Sequence, residues 1–394
     1  MKKSTIITVL CFALGIIVLA VGFILLTDNN ISNNLFPTTT TTTTTGGGGG
    51  DKPEYKPMDF FSEDVSQYIT LGQYKGIEIE VDMLEVSDET IDMQLHQLLV
   101  TEDKFTKNFT GTVTEGTVFN IDYTGYLDGV AFKGGNDVDV EAYILDGKFY
   151  LIDGTSFIEG FAEGIMGRNA GDEFDINATF PDEYAQNESL AGKTVVFKIK
   201  INYIAETEEP SDEWVAEFTD DAYKTLAEFK QYFKDSINPE IEKANVSALW
   251  DKICNAATVI EIPEQQSDYY YNVYKEQLEY YALYSAYFFG KSMTYDEVRA
   301  YMGYETEDDL KEYAKETVKT ELVLYAIMQA EGIQATDDEL EELIAELMES
   351  ESKTREEIIE KYSEEDMRKD IMVEKTEKFV EDNNSFVLKA EDAE

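Results

Sequence analysis

Between Gly116 and Ile204 apolar and polar residues alternate in three runs, with the period of a half-buried strand. Phe119, Ile121 and Tyr123 alternate with Asn120 and Asp122. Phe174, Ile176, Ala178 and Phe180 make a second run, ended by Pro181. Val195, Phe197, Ile199 and Ile201 alternate with Val196, Lys198 and Lys200. Asp128-Gly129 predicts a hairpin turn. Ile158, Phe161, Ala162 and Ile165 fall at helical spacing, and Gly167 is placed to stop that short helix. The stretch predicts a small antiparallel sheet packed on one short helix.

The flanks carry other periods. Ile77, Ile79 and Val81 predict a strand, after which Ser87 caps a helix with Ile91, Leu95, Leu98 and Leu99 on one stripe. Beyond Ile204 a short acidic linker, Glu206 to Pro210, leads to Asp212-Glu213-Trp214 and then to a helix-rich region. Thr225 caps a helix with Leu226, Phe229 and Phe233; Pro239 precedes a long helix through Ala248, Leu249, Ile253 and Ala257; Val259 to Pro263 breaks it. Thr306, Thr336 and Thr354 each stand three residues before an acid (Asp309, Glu339, Glu357), the pattern of a capping box. Leu310, Ala314, Val318, Leu322 and Tyr325 form one apolar stripe, Leu340, Leu343, Ile344 and Leu347 another, with Gly332 ending the helix between them. Tyr270, Tyr274, Leu278 and Tyr281 share a helical face with Phe288 further along, and Tyr280, Tyr284 and Tyr287 mark the face beside it.

At the N-terminus Lys2 and Lys3 precede an apolar run from Ile6 to Leu26. About 21 residues at 1.5 Å rise span a bilayer core, and the lysines favour a cytoplasmic start. A cleaved signal peptide is the rival reading, with a shorter apolar region and a small-x-small site that does not follow Leu26 here. The expectation is a single-pass cell-membrane anchor with the bulk of the chain extracytoplasmic. Thr38 to Thr45 and Gly46 to Gly50 offer nothing to bury and predict a flexible tether.

Composition narrows the function. The 394 residues include 81 acidic and 32 basic ones, a net charge of -49. Nucleic acid is excluded as a partner, because phosphate binding needs basic patches. Acidic runs such as Asp337 to Glu342 read as solvated helix faces. Two cysteines, Cys11 and Cys254, make no disulfide framework, and the lone His96 has no second ligand type nearby, so no metal or cofactor is expected.

Tyr-Thr-Gly (123–125), Asp-Gly-x-x-Phe (128–132), Phe-Ile-x-Gly-Phe-x-x-Gly-Ile (157–165), Gly-x-x-Phe (171–174), Phe-Pro-x-x-Tyr (180–184) and Val-Val-Phe (195–197) occur in an order that resembles the FKBP-type peptidyl-prolyl isomerase domain, in the version found in trigger factor. The resemblance implies an aromatic pocket for a substrate proline at Tyr123, Phe132, Phe157, Ile158, Phe161, Tyr184 and Phe197. Without it, the same aromatics read as the core of a small sheet. Lys133 departs from the family, many members of which have an acid after the phenylalanine, and Phe161 stands where many eukaryotic members have tryptophan. Tyr-Lys-Gly-Ile-Glu-Ile-Glu-Val (74–81), Val-Ile-Glu-Ile-Pro-Glu (259–264) and the later capped helices resemble the remainder of trigger factor, including its C-terminal chaperone domain. The basic Gly-Phe-Arg-x-Gly-Lys signature of that family's ribosome-binding domain does not occur, so no ribosome docking is expected.

The fold class expected is α+β: an FKBP-like antiparallel sheet wrapped on a short helix, inserted in an all-α trigger factor-like body, after one transmembrane helix. The segments are a cytoplasmic N-terminus (1–5), the anchor (6–26), the tether (27–66), a strand-helix segment packing on the body (67–110), the isomerase domain (111–205) and the helical chaperone domain (206–394). The function expected is a membrane-anchored foldase that isomerises X-Pro bonds of unfolded or newly exported chains and holds them at Tyr270, Tyr274, Tyr281, Tyr284 and Phe288. The alternatives are a holdase without catalysis, supported by Lys133, and a surface scaffold, supported by the tether and the acidity.

Overall fold

The computed structural model describes residues 55–389 other than 146, 153, 154, 183, 185, 186, 188 and 289. The expected anchor (6–26) and most of the expected tether lie outside the described residues. Two compact units divide the rest: residues 85–240 form one, and residues 55–84 with 241–389 form the other.

Strands β1 (Ile69–Thr70) and β2 (Glu78–Val81) belong to the interrupted unit. Helix α1 (Asp88–Thr101) opens the inserted one, and Ser87 accepts the Thr90 N–H at 3.0 Å, as the capping signal predicts. Then come β3 (Phe105–Asn108), β4 (Val118–Leu127), β5 (Val130–Leu145), β6 (Lys148–Leu151), α2 (Phe161–Ile165), β7 (Glu173–Thr179), β8 (Thr194–Thr207) and α3 (Asp212–Phe218). The strands form a 6-stranded antiparallel sheet in the order β3-β8-β4-β5-β6, with β7 also pairing β8. Asp128 and Gly129 both take positive φ (52° and 81°), so the β4–β5 turn is the tight hairpin expected of Asp-Gly. Phe119, Ile121, Phe161, Ile165, Phe197, Ile199 and Ile201 are buried in one cluster between the curled sheet and α2. A second cluster joins Met93 and Val100 of α1 to Tyr143, Tyr150 and Tyr203 of the sheet. Met93 and Val100 lie outside the predicted stripe of Ile91, Leu95, Leu98 and Leu99, whose four residues are buried too, so α1 is covered on more than the one face that the sequence predicts.

Helix α4 (Leu226–Ala256) is continuous through Pro239, where the sequence predicts a break. Proline there forgoes one backbone hydrogen bond. Ile237 and Ile241, both buried, hold the helix on either side. In the interrupted unit β9 (Thr258–Val259) precedes α5 (Glu264–Leu283), α6 (Ser285–Phe288), α7 (Tyr295–Tyr301), α8 (Glu307–Glu331), α9 (Asp337–Glu351), α10 (Arg355–Tyr362), α11 (Glu364–Asp382) and β10 (Ser385–Leu388). Capping boxes start α8, α9 and α10 at Thr306, Thr336 and Thr354, and a further one starts α7 at Thr294. Gly332 ends α8 at φ 65°.

The body is not all-α. β1 pairs with β9 antiparallel, and β2 pairs with β10 in parallel, Glu78 opposite Ser385 through Val81 opposite Leu388. Ile79 and Val81 are buried on one face of β2, and a strand so placed must pair its backbone groups. The Asn384 side chain accepts the Ile77 N–H at 2.8 Å and donates to the Tyr74 carbonyl at 3.1 Å, fixing the start of that pairing.

Where α5 lies along α8, one carboxyl is enclosed. Glu321 is 5% exposed, its Oε2 accepts from Gln266 Nε2 at 2.7 Å, and Gln266 Oε1 in turn accepts the Met58 N–H at 2.7 Å. Burial pushes the Glu321 carboxyl up to about 8, against the opposing hydrogen bonds from Gln266 and Tyr270. Cys254 is buried on α4, its thiol 3.7 Å from the hydroxyl of Thr320, the residue before Glu321, and burial raises its pKa to about 11, so it is an inert filler.

Candidate active site

Backbone irregularities at two places shape the inserted sheet. Against β5, β4 steps from Ile121 opposite Val140 to Tyr123 opposite Asp137, leaving an extra residue on β5. Against β8, it steps from Asn120 opposite Tyr203 to Ile121 opposite Ile201, leaving Asn202 extra. Bulges of this kind bend a strand and re-aim its side chains. Asp122 ties both together: it accepts the Asp139 N–H at 2.9 Å and the Asn202 amide at 2.8 Å. Asn202 also donates to Asn120 Oδ1 at 2.9 Å. That network explains why Asn120, polar in the alternation, is fully buried. Tyr123 is the next residue along.

A larger irregularity follows. The β4–β5 ladder skips from Thr124 opposite Asn136 to Tyr126 opposite Ala131. The intervening residues of β5 include Phe132, Lys133, Gly134 and Gly135, with Gly134 at φ 83°. The Phe132 ring rests on bare backbone: a Cβ on Gly125 would lie 2.5 Å from it and one on Gly135 2.2 Å. After β6 the chain folds back, the Phe157 N–H donating to the Phe149 carbonyl at 3.1 Å, and the Phe157 ring meets that of Tyr123 edge to face at 5.1 Å.

These segments enclose a cavity of about 290 Å³. Tyr123, Phe132, Phe157, Ile158, Tyr184 and Phe197 line it, as the resemblance implies. Phe161 does not line it. Its ring, fully buried, lies one layer beneath, packed on Phe157 at 4.6 Å and Phe197 at 5.1 Å. Ile158 precedes α2 rather than riding on it, because Gly160 at φ 88° starts that helix. Phe180 and Leu190 also line the cavity, with Thr155, Ser156 and Asn187. Phe180 was visible in the alternation of β7 but reads there as core. Leu190 sits in a loop with no period and gives no signal.

The expected client surface splits. Tyr270 is 2% exposed, and Tyr274 stacks on it at 6.1 Å while sharing a hydrogen bond with Thr317 at 2.9 Å. Burial drives both phenol pKa values up; the Tyr270 ring is closed to a client and that of Tyr274 is half-buried against its neighbours. These two are corrected: the face they share with Leu278 is the one α5 turns to α8. Tyr281 is half-buried, while Tyr284 and Phe288 are exposed. The open aromatic surface is at the end of α5 and on α6, where Tyr280, Leu283 (75% exposed), Tyr284, Tyr287 (85%) and Phe288 lie together. Tyr280 and Tyr284 are 4.8 Å apart, and Tyr287 and Phe288 5.3 Å.

Residues 106–202 match the family described as FKBP-type peptidyl-prolyl cis-trans isomerase, and residues 225–381 the one described as bacterial trigger factor protein C-terminus. The chain is 32% identical over 294 residues to the trigger factor of Anoxybacillus flavithermus, covering 72% of this chain and 64% of that protein. It is 33% identical over 303 residues to that of Halothermothrix orenii (75% and 67%) and 32% over 330 residues to that of Bacillus licheniformis (81% and 74%). Against the first of these the chain thus spans less than two thirds of the relative's length. The cell-membrane, extracytoplasmic placement expected from residues 6–26 is overturned by the relatives, which are trigger factors; among the described residues, which do not include 6–26, no helix is long and apolar enough to cross a membrane. On these similarities the chain belongs to the trigger factor family, and it carries an FKBP-type peptidyl-prolyl isomerase domain.

Proposed function

We propose that this protein is a foldase: it isomerises X-Pro bonds in the aromatic cavity and holds unfolded segments on its helical unit. The observation that carries the first half is the cavity itself, about 290 Å³ and walled by Tyr123, Phe132, Phe157 and Phe197. The barrier to turning a peptide bond is roughly 18–20 kcal/mol because resonance is lost on twisting. The twisted amide is less polar than the planar one. An aromatic enclosure that displaces water therefore favours the twisted state relative to the ground state, which water solvates well. No covalent bond is made or broken, so the reaction asks for shape and dryness. In this reading Tyr123, Phe132, Phe157, Ile158, Tyr184 and Phe197, which line the cavity, touch the proline, and Phe161 supports two of them from beneath.

The second half rests on the exposed rings of Tyr280, Tyr284, Tyr287 and Phe288 with Leu283. Tyrosine offers a large apolar area with few rotors and a polar tip, which suits contact with varied unfolded segments. The test of the first half is refolding of a protein limited by proline isomerisation, a step of tens to hundreds of seconds without catalysis. Wild type accelerates it, and Tyr123→Ala combined with Phe197→Ala does not; equal rates for the two would refute the catalytic role. The same aromatic surface favours one rival reading, a holdase without catalysis. That rival predicts suppressed aggregation of an unfolded client with no effect on the refolding rate.

A further inference from the structure

The inference rests on the isomerase reading and concerns which prolines the cavity accepts. Lys133 follows Phe132 in the part of β5 that leaves the ladder, and Gly134 at φ 83° turns the chain immediately after it. The excursion that lays the Phe132 ring against the wall also brings Lys133 to the cavity, where it is the one charged side chain among the described lining residues. The remainder of the lining is aromatic, aliphatic, glycine, or neutral and polar, as at Thr155, Ser156 and Asn187. Lys133 is exposed, and among the described residues no carboxylate lies within ion-pair distance of its ammonium. Three other lysines of this unit pair with carboxylates: Lys198 with Asp175 at 3.8 Å, Lys234 with Asp88 at 2.7 Å, and Lys104 with Glu217 at 3.3 Å. In a chain with 81 acidic and 32 basic residues, an ammonium at a cavity rim with no carboxylate beside it among the described residues is open to a charge supplied from outside.

We propose that Lys133 is a specificity-determining residue that favours proline segments with an acidic residue next to the proline. With the ring in the cavity, a glutamate or aspartate on the adjoining residue reaches the rim that Lys133 occupies. A solvated pair of this kind changes a binding constant by roughly two- to fivefold and is weakened by salt. The net charge of -49 acts the other way, repelling acidic segments at long range. Variants at position 133 leave that long-range field nearly unchanged and so isolate the local contribution.

The experiment uses the full chain and blocked tetrapeptides Ala-Xaa-Pro-Phe with Xaa glutamate, alanine or lysine, and Ala-Ala-Pro-Glu for an acid on the other side. Exchange NMR gives kcat/KM for isomerisation, and an NMR titration gives Kd. Wild type favours a glutamate-bearing peptide over the alanine one by roughly two- to fivefold at low salt. Lys133→Gln removes the preference, and Lys133→Glu inverts it in favour of lysine. The same glutamate-to-lysine ratio in wild type and Lys133→Gln overturns the proposal even when all peptides are turned over. A Lys133-dependent preference in Kd without acceleration of any peptide supports the selectivity and removes the isomerase reading instead. Failure of every peptide to bind overturns both.

Discussion

Replacing Glu321 by glutamine should change how stability depends on pH, and the size of the effect follows from the burial of this carboxyl. Its pKa is pushed from 4.5 up to about 8 in the folded chain, with desolvation the leading cause. In the unfolded chain the group titrates normally. Between these two values the folded state holds a proton that the unfolded state has lost, so stability falls as pH rises from about 4.5 and levels off above about 8. At about 1.36 kcal/mol per pKa unit, the full difference is roughly 5 kcal/mol, a large part of the 5–15 kcal/mol typical of a folded protein. Glutamine keeps a partner for Gln266 and carries no charge in either state. Near pH 4.5 the two proteins should be of similar stability; by pH 8 the Glu321→Gln variant should be the more stable by several kcal/mol. Asp370 and Glu377, pushed by burial to about 6 and about 7, titrate in the same window with the same sign. They are common to both proteins and cancel in the difference. Tyr269, Tyr270, Tyr274 and Tyr325 surround Glu321 but ionise above the window. Urea unfolding at pH 5, 6, 7 and 8 measures this. Fluorescence of Trp250 is the probe, because it is buried in the same cluster as Tyr270 and Leu322, and Trp214→Phe removes the other indole. A constant offset between wild type and variant across that range would show that Glu321 is ionised in the folded chain and would refute the reasoning.

Other consequences are as accessible. Gly135→Ala places a methyl 2.2 Å from the Phe132 ring, so the ring must leave its seat; isomerisation should fall at least tenfold, about 1.4 kcal/mol in barrier, while far-UV circular dichroism is unchanged. Unaltered kcat/KM in that variant would remove Phe132 from the wall of the site. Leu283→Ser with Tyr287→Ser, at 75% and 85% exposure, should leave stability within about 0.5 kcal/mol and reduce suppression of client aggregation. Full suppression by this double variant would place the holding surface elsewhere.

The legible parts of this chain were those where local rules suffice. Alternation found β4, β7 and β8, and a threonine three residues before an acid found the starts of α8, α9 and α10. The cavity was legible through an ordered set of motifs, yet two features of it were not. No periodicity reveals that β5 and β8 each carry an extra residue against β4 beside Asp122, or that β5 leaves the ladder to carry Phe132 and Lys133, because both depend on pairing across strands. Tyr270 and Tyr284 illustrate a different limit: on a tyrosine-rich helix the composition of two faces is alike, and only the position of α8 decides which is covered. Pro239 inside α4 is an instance of tertiary packing overriding a local signal. Ser385 to Leu388 is too short to be read as a strand without its partner.

That partner is distant. The Asn384 side chain that meets the Ile77 N–H does so across 307 positions of sequence, and β2 finds its mate only in β10. A ribosome emits the second half of this clasp long after the first, so residues 85–240, a compact unit of their own, are free to fold while β2 still waits. Ring closure over such a separation is slow but only weakly dependent on added length, which makes the arrangement tolerant of a whole folded body between its ends. A nascent chain stalled before Ser385 would carry a finished isomerase module beside an unfastened helical one. The fastening of that module therefore waits until β10 has been made.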